Sequence, residues 1–170
     1  MSMKKFKILL LLSLFGIISS NAQSFDNWEE YSIVPTQISV DGTHFVKVSG
    51  TGHNGNKAIK NAIKNALHSA LISGIPSSTV LSGPYSQAIP ATAPIIPSLN
   101  SRQIKYFKSF FKKKYLDFAV VYSDRYPSGD DFVFLHNGDV KVDVYVLIKY
   151  DELRHYLEEK GIISSLSSGF

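Results

Sequence analysis

Between residues 50 and 74 the chain keeps a four-residue beat that leaves few choices of fold. Ala58, Ala62, Ala66 and Ala70 make one i, i+4 ridge, and Ile59, Ile63, Leu67 and Leu71 make the ridge beside it. Together they form the apolar stripe of an amphipathic helix. Lys60, Lys64 and His68, with Asn61, Asn65 and Ser69, read as the wet face. A beat of four on a helix of 3.6 residues per turn advances by about 40° per repeat, so the stripe winds slowly. Such a stripe suits packing across a twisted sheet. Alanine lets the backbones approach, and the larger ridge fills the flanks, each side chain contributing about 1.5–3 kcal/mol on burial. Asn54 or Asn56 is the expected N-cap. Gly74 followed by Ile75-Pro76 is the expected stop.

The 170 residues, 44% hydrophobic, suffice for one core and one domain. Residues 1–22 read as a leader: Lys4, Lys5 and Lys7 precede an apolar run over 8–18, and Ser20-Asn21-Ala22 offers small residues for cleavage. The run is shorter than a membrane span needs. A mature domain is expected over 23–163, with a proline-rich insertion at 74–100 and a flexible tail at 164–170. The leader takes three of the 18 bases with it, leaving 15 against 14 acids, so the basic balance belongs mostly to the discarded segment. That removes the main support for a nucleic-acid partner. There is no cysteine, hence no disulfide, no thiol chemistry and no acylated lipoprotein cysteine. An exported chain of this kind fits the periplasm or a cell surface.

Charge is segregated. Residues 42–116 hold ten Lys or Arg and no acid, whereas residues 117–170 hold ten acids and five bases. Either the two parts pack together and the signs mostly cancel, or a basic face awaits an anionic partner.

Strands are expected at 36–40 and 44–49 about an Asp41-Gly42 turn. A two-residue turn there would put Ile38 opposite Phe45 and leave Val46 and Val48 on the other face. Either both faces are covered or the loop is longer. Residues 23–30 read as a frayed terminus, with Trp28 the one residue able to anchor it. The insertion holds five of the seven prolines and no charge, and its spaced apolar residues should lie against the body. A second helix is expected over 101–115, with Ile104, Phe107, Phe111 and Tyr115 on one face. Arg102, Lys105, Lys108 and Lys112 lie opposite, followed by Lys113 and Lys114. This basic face is the candidate site for an anionic polymer or a lipid head group at a membrane surface. The ordinary alternative is a core-facing helix with a solvated basic side.

After a strand at 115–122, residues 131–135 and 140–150 read as a hairpin about a two-residue Asn137-Gly138 turn. That register pairs Leu135 with Val140 and Val133 with Val142, and places Phe132, Phe134 and Tyr145 on the opposite face as a candidate interaction surface. Asp151 should cap a helix over 152–160, closed by Gly161-Ile162. The order implies an α+β fold: an antiparallel or mixed sheet with a long amphipathic helix and shorter helices on one face.

No catalytic pattern emerges. Gly50-x-Gly52-x-x-Gly55 matches a dinucleotide fingerprint in letters, but no acid occurs between Asp41 and Asp117 to hold a ribose. The five histidines lack zinc spacing, and Asp124, Asp130 and Asp131 lack that of a calcium loop. No cofactor or metal is expected, and the chain reads as non-enzymatic. A deep pocket lined by histidine or carboxylates would reopen a hydrolase reading.

Two stretches carry a resemblance. Val46-x-Val48-x-Gly50-x-Gly52 leads into Ala58-Ile59-x-x-Ala62 and Ala66-Leu67, and the alternating valines at 140, 142, 144 and 146 lead into Leu153-x-x-x-Leu157-Glu158-x-x-Gly161-Ile162. Over about residues 43–163 the chain resembles secreted bacterial envelope proteins related to the amino-terminal domain of flagellar assembly protein T, and small outer-membrane lipoproteins of that superfamily. The resemblance implies a structural or assembly role beside envelope proteins. It supplies no site residues, and the missing cysteine departs from the lipoproteins.

Overall fold

The computed structural model describes residues 28–37, 40, 42–82 and 85–165. The leader lies outside these, as do Ile38, Asp41 and most of the tail.

The fold is α+β. Strands β1 (Ile33–Gln37), β2 (His44–Gly52), β5 (Ala119–Val121), β6 (Phe132–Phe134) and β7 (Val140–Ile148) form one antiparallel sheet. The order is β1-β2-β7-β5, with β6 on the other end of the β7 edge. Helix α1 (Gly55–His68) crosses its inner face, and α2 (Ser101–Phe110) and α3 (Tyr150–Glu159) add to the same core. Alternation in β7 is strict: Val140, Val142, Val144, Val146 and Ile148 are buried, and the residues between them are not. Val46 and Val48 of β2 join them beneath Ala58, Ala62, Ala66 and Leu67.

Two glycines set how close α1 comes. Both lie within β2. A Cβ on Gly50 would sit less than 3 Å from the Ala58 carbonyl and the Ala62 amide, and one on Gly52 would meet Lys57 and Ala58 as closely. Glycine on the strand and alanine on the helix thus form one interface, matched by size. The fingerprint spacing at 50–55 has this packing role. The turn itself is made by Asn54, whose side chain accepts the Lys57 amide at 2.9 Å.

The α-helix proper is fourteen residues, followed by a π-helical turn, Ser69–Ser73, rather than one uninterrupted long helix. Gly74 ends it at φ +79°, as expected. The insertion is not structureless. It contains a hairpin, β3 (Ser78–Ser82) with β4 (Tyr85–Ile89), in a second small sheet. Its two limbs are clamped by the Ile75–Thr92 bridge, and the amides of Ile95 and Ile96 bond the carbonyls of Ala70 and Leu71.

β1 ends at Gln37 and β2 begins at His44, so the two-residue turn does not hold, and β1 starts earlier than expected. Ile33 and Pro35 face Val48 and Val46 across a bulge-bearing pair. Helix α2 opens on an Asn100–Gln103 capping box, and Gln103 also donates to the Ile162 carbonyl at 2.9 Å. It stops at Phe110, short of Tyr115. A 3-10 turn, Lys114–Asp117, follows and brings Tyr115 and Phe118, three apart, onto one buried side. Strand β5 is correspondingly three residues, not eight. Helix α3 begins at Tyr150, so Lys149 stands at the N-cap and Asp151 lies inside the first turn instead of capping it. It ends as expected: Ile162 bonds Leu157 and Gly161, at φ +61°, bonds Glu158.

The β6–β7 register differs by one residue from the expectation. The pairs are Phe132 with Val142, Val133 with Lys141 and Phe134 with Val140. Asn137 takes the Asp139 amide on its own side chain at 3.0 Å, and Gly138 adopts φ +85° with its amide on the Leu135 carbonyl. Three residues therefore form the loop, a turn closed by a bulge. The slip exchanges every side chain between faces.

Candidate functional site

The polar side of α1 is only partly wet: Lys60 is exposed, whereas Asn65 and His68 are buried. Strand β1 stops short of the end of β2 and leaves carbonyls of that edge unpaired. Asn61 donates to the Thr51 carbonyl at 2.7 Å and Asn65 to the Ser49 carbonyl at 2.8 Å. Residues four apart on a helix thus serve carbonyls two apart on a strand edge. The segment before β1 then covers them. Trp28 donates its indole N–H to Asn65 Oδ1 at 2.6 Å and stacks on the His68 ring, with centroids 4.4 Å apart and planes 13° off parallel. Ser32 donates its amide to Ser49 Oγ at 2.8 Å. Asn65, His68 and Ser69 are all buried. Trp28 is indeed an anchor, and the segment from Trp28 to β1 is a strap.

Beside the strap lies an open groove of about 780 Å³. Its sides are Trp28, Tyr31 and Ile33 of the strap, Ser73 and Gly74 of the π turn, and Ile75 with Pro94 from the insertion. At its base the Tyr31 hydroxyl lies 2.8 Å from His68 Nδ1, and Ser73 Oγ lies 3.4 Å from the same nitrogen. Burial lowers His68 from its ordinary 6.5 to about 4 and raises Tyr31. At neutral pH the imidazole is uncharged, and the phenol and Nδ1 share one hydrogen bond whose donor is set by the tautomer. Ser73 stands beside this nitrogen, but Tyr31 is closer and the imidazole is a poor base at neutral pH. The arrangement suits holding a ligand better than moving a proton. Sequence reasoning missed it because its parts come from a presumed frayed end and a presumed loop. The available signal was uncharged asparagine at 61 and 65, between the lysine row and the alanine row.

The expected interaction surface is divided. Tyr145 stays on the outer face of the sheet, whereas Phe132 and Phe134 turn to the valine side. Phe132 packs its ring on Gly55 at the start of α1, and Phe134 is 80% exposed at the rim. The outer face has other aromatics. Phe45 meets Tyr122 edge-on at 5.1 Å and Tyr145 at 6.2 Å, and Arg125 lies 4.8 Å above the Tyr145 ring. Leu147 and Val120 extend the patch, and Val34 lies beyond Lys47, which pairs with Asp143 at 3.1 Å and stands between Val34 and Tyr145. The helices bury their apolar sides in the cluster beneath the sheet, leaving Val120 and Val34 about half exposed above it.

The basic residues are all exposed, but they do not share one helix. Arg102, Lys105 and Lys108 lie on α2, whereas Lys112, Lys113 and Lys114 fall in the turns after it. Of these six, only Lys114 forms an ion pair among the described residues, with Asp117. The remaining pairs among those residues are Lys47–Asp143 and three confined to residues 149–159. Ion pairing therefore does not cancel the basic segment against the acidic one.

No group of His, Cys, Asp or Glu among the described residues could hold a metal ion. Comparisons of this chain with protein-family models, with curated proteins and with solved structures give no match.

Proposed function

We propose that the chain is an exported, non-enzymatic domain with a structural or assembly role in the bacterial cell envelope, docking on other envelope proteins through the outer face of its sheet. The observation that carries this is the apolar and aromatic patch of Val34, Val120, Tyr122, Tyr145 and Leu147 on that face, laid over a buried Phe45 and away from the helices. The leader-like residues 1–22 and the resemblance to secreted envelope proteins support the location. Secretion is tested by the mass of the protein recovered from the periplasm, which should begin at Gln23. Docking is tested by a photocrosslinking residue at Val120 or Val34, against a control at Glu159 on α3. Adducts with envelope proteins are expected from the first two positions alone. Equal labelling from all three, or none from the sheet face, ends the reading.

A second reading has its own observation: Arg102, Lys105, Lys108, Lys112 and Lys113 are exposed and lack acidic partners among the described residues. They would take an anionic polymer or lipid head group. Reversing Lys105, Lys108 and Lys112 to Glu should abolish binding to anionic vesicles at low salt. Unchanged binding, or none by the unaltered protein, removes it.

A further inference from the structure

We propose that the groove beside the N-terminal strap is a binding site for a small organic cation, an ammonium group on an apolar body. The proposal goes beyond the docking role above and uses a different face of the molecule. The volume, about 780 Å³, lies within the range of small-ligand sites. Ile33, Ile75, Pro76 and Pro94 supply an apolar wall, and Trp28 and Tyr31 supply aromatic rings. Only two lining residues carry charge at neutral pH, Glu29 and Glu30, and both are acids. Neither joins an ion pair among the described residues. His68 adds no positive charge, since burial holds it neutral well below pH 7.

The contrast with the rest of the chain sharpens this. Residues 42–116 carry ten bases and no acid, and they supply most of the groove's lining, yet none of those bases lines it. An anion would meet two carboxylates there without a compensating cation. An ammonium group would meet two carboxylates and the Tyr31 ring beside the edge of Trp28, and its apolar body would lie against isoleucine and proline. Tyr31, Ser73 and Thr92 add hydroxyl groups able to accept an N–H.

Trp28 is the single tryptophan of the chain, so its emission reports on the strap that lines this groove. The full chain without residues 1–22 is titrated with benzylammonium, benzyl alcohol and benzoate, three probes of similar size and different charge. A saturable change is expected with benzylammonium, binding about tenfold weaker with the alcohol, and none with benzoate. The Glu29→Gln, Glu30→Gln pair should weaken benzylammonium about tenfold at an unchanged melting temperature. Lys108→Gln on α2 should leave it as it was. Equal affinity for the three probes, unchanged affinity in the glutamine pair, or no saturation by benzylammonium below about 10 mM overturns the proposal.

Discussion

Helix α1 meets the protein on two sides, and the two interfaces are built on different physics. On one side, Ala58, Ala62 and Ala66 lie against Gly50 and the valines of β2 and β7, and shape decides everything. On the other, Asn61, Asn65 and His68 meet strand carbonyls, an indole and a phenol, and hydrogen-bond geometry decides. The first side tolerates no added volume, because backbone atoms occupy the space a side chain would need. The second tolerates exchange of volume but not loss of a donor or acceptor.

The sharpest way to break the first side is Leu67→Asp. Leu67 is wholly buried, so a carboxylate there should destabilise by more than about 4 kcal/mol and leave the domain unfolded by circular dichroism. A soluble variant with an unchanged melting curve would place the helix face wrongly. Gly50→Val tests the close approach itself. With no room for a Cβ, it should cost about 3 kcal/mol in chemical denaturation, although valine is otherwise a good strand residue. On the second side, Asn65→Ala removes the acceptor of the Trp28 indole and the donor to Ser49 together, an expected loss of about 2 kcal/mol. It should also shift Trp28 emission towards that of an exposed indole, which Leu67→Val should not do.

A pH dependence also marks the second side, where His68 is the more strongly lowered of two histidines, His44 on β2 being the other. His68 is lowered from 6.5 to about 4 by burial, so the unfolded chain takes up its proton first. The contribution is fully present above pH 6.5, falls between pH 6.5 and about 4, and is gone below that. After allowance for partial solvent screening, the fall is on the order of 2 kcal/mol. His68→Gln should flatten that stretch of the stability curve, leaving the smaller slope that His44 contributes.

The two sides also differed in how legible they were from sequence. The shape-matched side could be read because alanine, leucine and valine repeat at the periods of helix and strand, and those periods are local. Even there the role of Gly50 and Gly52 is not legible, since a glycine signals either a turn or a close approach and the letters alone do not say which. The hydrogen-bonded side depends on where β1 stops, which leaves the Ser49 and Thr51 carbonyls open, and on the path of Trp28 and Tyr31 across the helix. Both are long-range facts. The β6–β7 hairpin shows the same limit within a single turn. Asn137-Gly138 announced a turn, but the Asn137 side chain reaching the Asp139 amide chose three loop residues over two, and that choice moved Phe132 and Phe134 off the face of Tyr145.

The direct test of the two-sided account is hydrogen exchange at the Trp28 indole N–H, which gives one resolved signal because the chain has a single tryptophan. If the strap is held by Asn65 and stacked on His68, exchange at neutral pH should be at least about a hundredfold slower than for a free indole. It should quicken as the pH falls through the His68 transition and in Asn65→Ala. Exchange at the free rate, unaffected by either change, would mean that the polar side of α1 faces water.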